Sequence, residues 1–136
     1  RGMLHIKQSA GNMAFKLAAA LGCDPIILIG QDLAFGKEGD THAKGSDYGE
    51  RQLVYYQRNK IEVMGNDGNL VLTEEAWYPC IKGYEIDVAE YDGTVINSSI
   101  GGAHIQGTLV MPFQEAIDKH IKEKIYPLQE IKISDG

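Results

Sequence analysis

The sequence predicts an α/β protein with a Rossmann-like three-layer fold, a partly parallel sheet and a β-hairpin insertion. Residues 24–32, DPIILIGQD, contain an unbroken apolar run, which is typical of a parallel strand covered on both faces. A helical pattern precedes this run, and Gly22 and Pro25 provide the signals that end the helix. Two β-rich runs flank the turn sequence NDGN at 66–69, as in a β-hairpin.

The first third of the chain has the order strand, helix, strand, which is a βαβ unit with an expected right-handed crossover. Residues 3–7, MLHIK, form the first predicted strand, and the helix follows over residues 8–22. Apolar residues at helical spacing predict the stripe that faces the sheet. The members of this predicted stripe are Met13, Leu17, Ala20 and Leu21.

The middle of the chain contains a Gly-rich stretch, a hairpin and a second helix. Residues 33–52 have no periodicity and predict a long flexible loop, and residues 60–73 predict the hairpin. Thr73 is suited to cap a helix that begins at Glu74, while Pro79 should kink this helix or delay its start. The predicted buried stripe is Trp77, Ile81, Tyr84 and Val88.

The last third predicts another central strand at 93–99, a Gly-rich loop that follows it, and a helix whose first turn contains Pro112. This helix should turn Phe113, Ala116, Ile117 and Ile121 inward. Residues 1–126 are therefore assigned to the α/β domain and residues 127–136 to a peripheral tail. The first residue is Arg1 rather than Met, from which we expect a piece of a longer protein.

Composition excludes several classes of function. A net charge of −6 without a basic cluster disfavours a nucleic-acid partner, because duplex binding needs a concentrated positive face. No apolar run approaches the length of a membrane span, and we expect a cytoplasmic protein. Cys23 and Cys80 are too few for a zinc site, and we favour two free core cysteines over a disulfide.

Asp32 is the first candidate functional residue because it directly follows a buried parallel strand. Ligands of open parallel sheets bind beyond the carboxyl ends of the strands, although Asp32 could instead cap a turn or pair with a lysine. The residues Ser9, Ala10, Gly11 and Asn12 lie at a helix start. Amide groups and the helix dipole favour an anion there, but Ser at this position is often only a cap.

His42, in the loop sequence DTHAKG, is the candidate proton donor or charge partner, since histidine titrates near neutral pH. A solvated loop histidine is the alternative interpretation, and His104 is open to the same two interpretations. No HExxH, paired-cysteine or Asp-x-Asp motif occurs, so the sequence supports no dedicated metal site.

The segments GNMAFKLAAALGCDPIILIGQDLAF, THAKG and VINSSIGGAHIQGT occur in this order around the hairpin. This arrangement, over about residues 8–117, resembles the domain shared by bacterial motility accessory factors (Maf flagellin glycosyltransferases) and archaeal 6-hydroxymethyl-dihydropterin diphosphokinases. The first segment is also similar to Campylobacter-type sialyltransferases. The chain looks like the C-terminal half of that domain, which implies that this piece alone is inactive.

The resemblance implies a glycosyltransferase that uses a CMP-linked nonulosonic sugar and transfers it to flagellin hydroxyl groups. It implies that Ser9–Asn12 hold the donor phosphate, that Asp32 lines the donor site, and that His42 assists the leaving phosphate. It further implies that glycines and a threonine of the rim loops shape the nucleotide site. These residues are Gly30, Gly101, Gly102 and Thr108.

Two other functions stay open at this point. One is transfer of pyrophosphate from ATP to a hydroxymethylpterin, which would need Mg²⁺ held by a carboxylate such as Asp32; no other cofactor is implied. The other is a docking domain without chemistry. An unpaired sheet edge also favours pairing with a second copy of the chain, so a homodimer is a further expectation.

Overall fold

In the computed structural model, the described residues 9–36 and 59–121 form three helices and five strands. The helices are α1 (Ala10–Ala20), α2 (Tyr78–Ala89) and α3 (Phe113–His120). The strands are β1 (Ile26–Leu28), β2 (Lys60–Met64), β3 (Leu70–Glu74), β4 (Val95–Asn97) and β5 (Leu109–Val110). The predicted strand at 3–7, the loop beyond residue 36 up to residue 52, and the tail at 127–136 lie outside the described residues.

The central sheet has the order β1-β4-β5, and both of its pairings are parallel. Leu28 is paired with Asn97, so β1 and β4 end at the same edge. Ile26 and Leu28 of β1 are buried, as the unbroken apolar run predicts for a strand without a solvent face, and all three residues of β4 are buried as well. The predicted α/β class with a partly parallel sheet is confirmed.

The predicted hairpin is also confirmed, as β2 and β3 pair antiparallel from Lys60–Glu74 to Met64–Leu70. Its turn is closed by the Gly65 amide, which donates to the Asn69 carbonyl at 2.7 Å. Gly68 has a φ of +82°, a conformation that glycine adopts without steric cost. The turn sequence therefore determines the hairpin.

The start of α2 differs from the prediction for Thr73. Strand β3 continues through Thr73 and Glu74, and α2 begins only at Tyr78 with Pro79 in its first turn. Proline fits there because the first helical amides have no intrahelical acceptor to lose. The Thr73 hydroxyl donates instead to the Leu33 carbonyl at 2.6 Å. The predicted delay by Pro79 is confirmed, and the predicted cap is wrong.

The buried face of α1 is not the predicted stripe. Met13, Leu17 and Leu21 are 45%, 49% and 72% exposed. The buried residues are Asn12 and Phe15, and the Phe15 ring contacts two tyrosines edge-to-face, Tyr84 at 6.0 Å and Tyr91 at 5.9 Å between ring centroids. An aromatic ring buries more area than a leucine and gains these directional contacts, so Phe15 determines the rotation of α1.

The sequence predicts the buried residues of α2 well and those of α3 poorly. On α2, Ile81, Tyr84 and Val88 are buried as predicted. On α3 only Ala116 is buried, while Phe113 and Ile121 are 44% and 54% exposed. Helix α3 ends at His120, so Ile121 lies outside the helical repeat that its predicted burial assumed.

The two cysteines are free, as expected from the sequence, but only Cys80 is buried and Cys23 is exposed. The thiol of Cys80 lies in the first turns of α2, and burial raises its pKa. No helix within residues 9–36 and 59–121 has the length and apolarity needed to cross a membrane.

An ion cluster joins α1 to α2. Lys16 Nζ lies 3.0 Å from Asp87 Oδ1 and 2.9 Å from Glu90 Oε2, and the Asp87 side chain is fully buried. The hydrogen bonds to Glu90 and Asp87 raise the pKa of Lys16. Since a buried carboxylate is stable only when compensated, Lys16 stabilises Asp87 in this interface.

Replacing Lys16 with Met should therefore lower the free energy of unfolding by about 2 kcal/mol. The loss is smaller than that for breaking a fully buried ion pair, because the side chains of Lys16 and Glu90 are partly exposed to solvent. Urea unfolding measures this difference. Lys82→Met is the matched control, because Lys82 pairs with Glu85 at 2.7 Å on the surface of α2. The control should cost less than about 1 kcal/mol; equal losses for both variants would contradict a role for Lys16 in the interface.

Candidate functional site

The start of α1 is fixed by reciprocal bonds between Ser9 and Asn12. The Ser9 hydroxyl accepts from the Asn12 amide at 3.2 Å and donates to Asn12 Oδ1 at 2.8 Å. The buried Asn12 side chain also donates to the Cys80 carbonyl at 3.3 Å. Both side chains thus serve the helix start and its packing on α2, while the amides of Ala10 and Gly11 have no acceptor among residues 9–36 and 59–121.

The end of β1 leads into a tight loop beside the loop that follows β4. The Leu28 carbonyl accepts from the Ser98 amide at 2.9 Å, and the Gln31 amide donates to the Ser99 hydroxyl at 3.1 Å. Gly30 between them has a φ of +66°, which glycine adopts without strain. The two carboxyl strand ends are therefore held together through their polar loops.

Gly102 allows the closest approach of these two loops. A Cβ at this position would lie 2.7 Å from the Asp32 Cα and 2.8 Å from its carbonyl oxygen. That carbonyl accepts from the Ala103 amide at 2.7 Å. Gly102 therefore positions Asp32 through backbone contact, and Gly101 beside it has a φ of +75°.

The Asp32 side chain is exposed at this edge, yet its surroundings still disfavour the charged form. Partial desolvation raises the pKa of the Asp32 carboxyl above its ordinary value of 3.8, and a hydrogen bond from Ser99 acts in the opposite direction. A raised pKa brings a carboxylate closer to the range in which it accepts protons during catalysis.

The raised pKa of Asp32 predicts a pH dependence of stability. The stability that the protonated Asp32 carboxyl contributes is fully present below the ordinary pKa of 3.8. It is lost as the pH rises through the folded-state pKa. The wild type should therefore become less stable relative to Asp32→Asn as the pH rises from 3.8. The urea midpoints of both proteins over this pH range measure the difference. If the wild type instead became more stable relative to Asp32→Asn as the pH rises, the pKa shift would have the opposite sign.

Gln31 and Tyr84 connect the start of α1 to the end of β1. The Tyr84 hydroxyl donates to Gln31 Oε1 at 3.0 Å. A Cβ at Gly11 would overlap both of these oxygens, so the α1 backbone lies directly against them. The residue next to Asp32 thus touches the predicted anion-binding turn. The sequence predicts Tyr84 only as a buried residue of α2, and it does not select Tyr84 or Gln31 as site residues. The position of Gln31 after a strand-ending glycine was the one available signal.

Two further asparagines hold the loop after β4, and the sequence analysis did not identify them. Asn97 Oδ1 accepts from the Ser99 amide at 3.0 Å, and Asn97 Nδ2 donates to Asn66 Oδ1 at 3.3 Å. Asn66 in turn donates to the Ser99 carbonyl at 3.0 Å from its side chain and to the Gly102 carbonyl at 2.9 Å from its backbone. The hairpin turn is thereby fastened to the site.

The remaining predicted residues are placed differently. The Thr108 hydroxyl donates to the Ile105 carbonyl at 2.7 Å, and the pairing of Ile96 with Leu109 places Thr108 near the amino end of β4. Thr108 is therefore not brought to the edge that contains Asp32. His42 lies outside the described residues. The backbone amide of His104 donates to the Met64 carbonyl at 2.8 Å, so this residue joins the loop to the hairpin.

Among the described residues 9–36 and 59–121, no three His, Cys, Asp or Glu side chains lie close enough together to hold a metal ion. The polar groups of the edge are one carboxylate, hydroxyls, amides and backbone N–H groups. Such a set is suited to hydrogen bonding with an oxygen-rich ligand.

Comparisons with known proteins give one fold relationship. No family model matches the chain, and no curated protein sequence matches it. The chain is similar in structure to the MAf glycosyltransferase from Magnetospirillum magneticum AMB-1, with a TM-score of 0.58 and 20% identity over 76% of this chain. It spans 15% of that larger protein. The chain therefore has the fold of a part of a Maf glycosyltransferase.

Proposed function

We propose that the chain is part of a glycosyltransferase and that it binds the phosphate of a nucleotide-activated sugar at the edge formed by β1, β4 and the start of α1. The observation that carries this proposal is the contact of Gly11 with Gln31, which brings the first turn of α1 next to Asp32. A helix start supplies N–H groups and about half a positive charge. The likeness to a Maf glycosyltransferase adds support from the fold.

The proposed donor is a CMP-linked nonulosonic sugar, and the proposed acceptor is a flagellin hydroxyl group, as the sequence resemblance implies. In an inverting displacement, the acceptor oxygen bonds to the anomeric carbon while the bond to the phosphate oxygen breaks and its electron pair leaves with CMP. The start of α1 stabilises the charge on the departing phosphate. The Asp32 carboxylate, with its raised pKa, accepts the proton of the acceptor hydroxyl.

Thermal-shift titration with CMP, and separately with ATP plus Mg²⁺, tests this proposal. CMP should raise the melting temperature of the wild type, because a ligand that binds only the folded state stabilises it. Gly11→Ala should lose this response, since its Cβ would overlap Gln31 and Tyr84. Met13→Ala is the matched control in the same turn, because Met13 is 45% exposed. A response to ATP with Mg²⁺ and none to CMP would favour pyrophosphate transfer instead.

His42 is the proposed partner of the leaving phosphate, as a proton donor or as a positive charge. In the full-length enzyme, His42→Ala should lower kcat by about 100-fold or more and leave the KM for the donor nearly unchanged. His104→Ala is the control, because the structural bond of His104 is made by its backbone amide. Equal turnover of His42→Ala and wild type would remove His42 from the mechanism.

A further inference from the structure

Ser99, in the loop after β4, is 5% exposed, and each of its polar groups has a hydrogen-bond partner. Its backbone amide donates to Asn97 Oδ1 at 3.0 Å, and its carbonyl accepts from Asn66 Nδ2 at 3.0 Å. Its hydroxyl accepts from the Gln31 amide at 3.1 Å and is also hydrogen-bonded to the Asp32 carboxyl. Ser99 is therefore fixed by three other residues where it meets Asp32.

The direction of the bond between Ser99 and Asp32 follows from the groups involved. The Gln31 amide can only donate, so it occupies a lone pair of the Ser99 hydroxyl and leaves the hydroxyl proton free. An ionised carboxylate can only accept, so Ser99 gives this proton to Asp32. One proton reaches one carboxylate oxygen, and the second oxygen of the exposed Asp32 remains open to a ligand.

A closed ring of three hydrogen bonds holds Ser99 in place. Besides the two bonds that Ser99 makes to the asparagines, Asn97 Nδ2 donates to Asn66 Oδ1 at 3.3 Å. Turning either amide around would set two donors or two acceptors against each other. Asn97 is fully buried at the end of β4, and Asn66 lies in the hairpin turn. Because the members of such a network support one another, the ring fixes the position of Ser99.

We propose that Ser99 is a positioning residue for the Asp32 carboxylate and that the ring with Asn66 and Asn97 holds Ser99 in this place. The inference rests on the proposed glycosyltransferase function, in which Asp32 accepts the proton of the acceptor hydroxyl. Ser99 fixes the direction of the carboxylate. It also keeps the carboxylate ionised, because a hydrogen bond to the charged form stabilises that form against the desolvation that raises the pKa of Asp32.

The titration of Asp32 tests the inference in the 136-residue chain without any substrate. The NMR shift of its isotopically labelled carboxyl carbon, followed as a function of pH, gives the pKa of this one group. In Ser99→Ala the pKa of Asp32 should lie above the wild-type value, because the carboxylate loses the hydrogen bond that stabilises it. An unchanged or lower pKa in Ser99→Ala would overturn the inference.

Ser98→Ala is the matched control in the same loop. Ser98 is 9% exposed, and its hydroxyl has no hydrogen-bond partner within residues 9–36 and 59–121. Its backbone amide, which donates to the Leu28 carbonyl, is retained in alanine. The pKa of Asp32 in this variant should equal that of the wild type. An equal rise in both variants would reflect a general disturbance of the loop and would also overturn the inference.

Asn66→Ala tests the ring and leaves the Ser99 hydroxyl present. It removes the side-chain bonds to Ser99 and Asn97, so the pKa of Asp32 should rise in the same direction but by less than in Ser99→Ala. Asn69→Ala is its control in the same turn, because Asn69 is exposed and its side chain donates to Asp67. This control should leave the pKa of Asp32 unchanged. A wild-type pKa in Asn66→Ala would overturn the role of the ring.

In the full-length enzyme, Ser99→Ala should lower kcat by about tenfold or more, because a misplaced catalytic group reacts slowly. The KM for the CMP-linked donor should stay nearly unchanged, since the start of α1 and not Ser99 holds the phosphate. The acid limb of kcat/KM should move to higher pH together with the pKa of Asp32, which a loss of stability alone would not cause. Wild-type turnover with a wild-type pH profile would overturn the inference.

Failure of this inference and failure of the proposed function give different results. If the pKa of Asp32 responds as expected while CMP produces no thermal shift, the proposed nucleotide site is wrong and the positioning of Asp32 by Ser99 stands. If CMP stabilises the protein while Asp32 titrates alike in Ser99→Ala and the wild type, the nucleotide site stands and Ser99 does not position Asp32.

Discussion

Replacing Tyr84 with alanine should lower the free energy of unfolding by about 3–5 kcal/mol, the usual cost of removing a buried aromatic ring. Tyr84 is fully buried, packs against Phe15 and donates to Gln31 Oε1. Urea unfolding measures the loss. Tyr78→Ala is the control on the same helix, because Tyr78 is 38% exposed, and it should cost less than about 1 kcal/mol. Similar losses for the two variants would contradict a central role for Tyr84.

Tyr84→Phe isolates the hydroxyl group. It leaves Gln31 Oε1 without this donor and should cost about 1–2 kcal/mol at neutral pH. Burial raises the pKa of Tyr84 from 10.0 to about 12. The stability that the protonated hydroxyl contributes is therefore present below pH 10 and is lost as the pH rises through about 12. Between these values the wild type should lose stability faster than Tyr84→Phe; parallel curves would show that the hydroxyl is solvated.

Gly102→Ala should lower the free energy of unfolding by about 3 kcal/mol, which is at the upper end of the usual cost of an overpacking substitution. The cost is high because the added Cβ would meet backbone atoms rather than a side chain that can move. The Asp32 Cα and carbonyl oxygen would lie 2.7 and 2.8 Å from this Cβ. Asp32 must then shift, and we expect the CMP-dependent rise in melting temperature to disappear.

The control for Gly102→Ala is Ile100→Ala in the same loop, where the side chain is 95% exposed. It should change the free energy of unfolding by less than about 0.5 kcal/mol and should retain the response to CMP. Wild-type stability and CMP response in Gly102→Ala would show that the loop relaxes without moving Asp32. In that case Gly102 would not position the site.

The elements that local sequence determines were predicted well. The unbroken apolar run within residues 24–32 predicts a buried parallel strand, and the turn residues at 66–69 predict the hairpin, because both patterns are formed by residues that are neighbours in the sequence. The rotation of α1 was not predictable in this way. Its sequence contains two apolar faces, and the choice between them depends on contacts of Phe15 with Tyr84 and Tyr91, which are distant in sequence.

The candidate site shows the same division. Asp32 follows from the rule that parallel sheets bind ligands beyond their carboxyl strand ends, and the turn at 9–12 follows from the preference of a helix start for anions. The connection between them does not, because Tyr84 comes from α2 and reaches Gln31 only through the tertiary packing of three elements. Thr108 is placed elsewhere, and its distance from Asn97 in the chain does not reveal that β5 starts at Leu109, level with Ile96, which leaves Thr108 near the amino end of β4.

Backbone amide shifts of the isotopically labelled chain during titration with CMP test most directly whether the start of α1 and the two strand ends form one binding site. We expect the amide signals of Ala10, Gly11, Asp32 and Ser99 to shift together with a single dissociation constant, while that of Thr108, near the amino end of β4, stays unchanged. Shifts that leave the start of α1 unaffected, or that cluster around Thr108, would contradict this expectation.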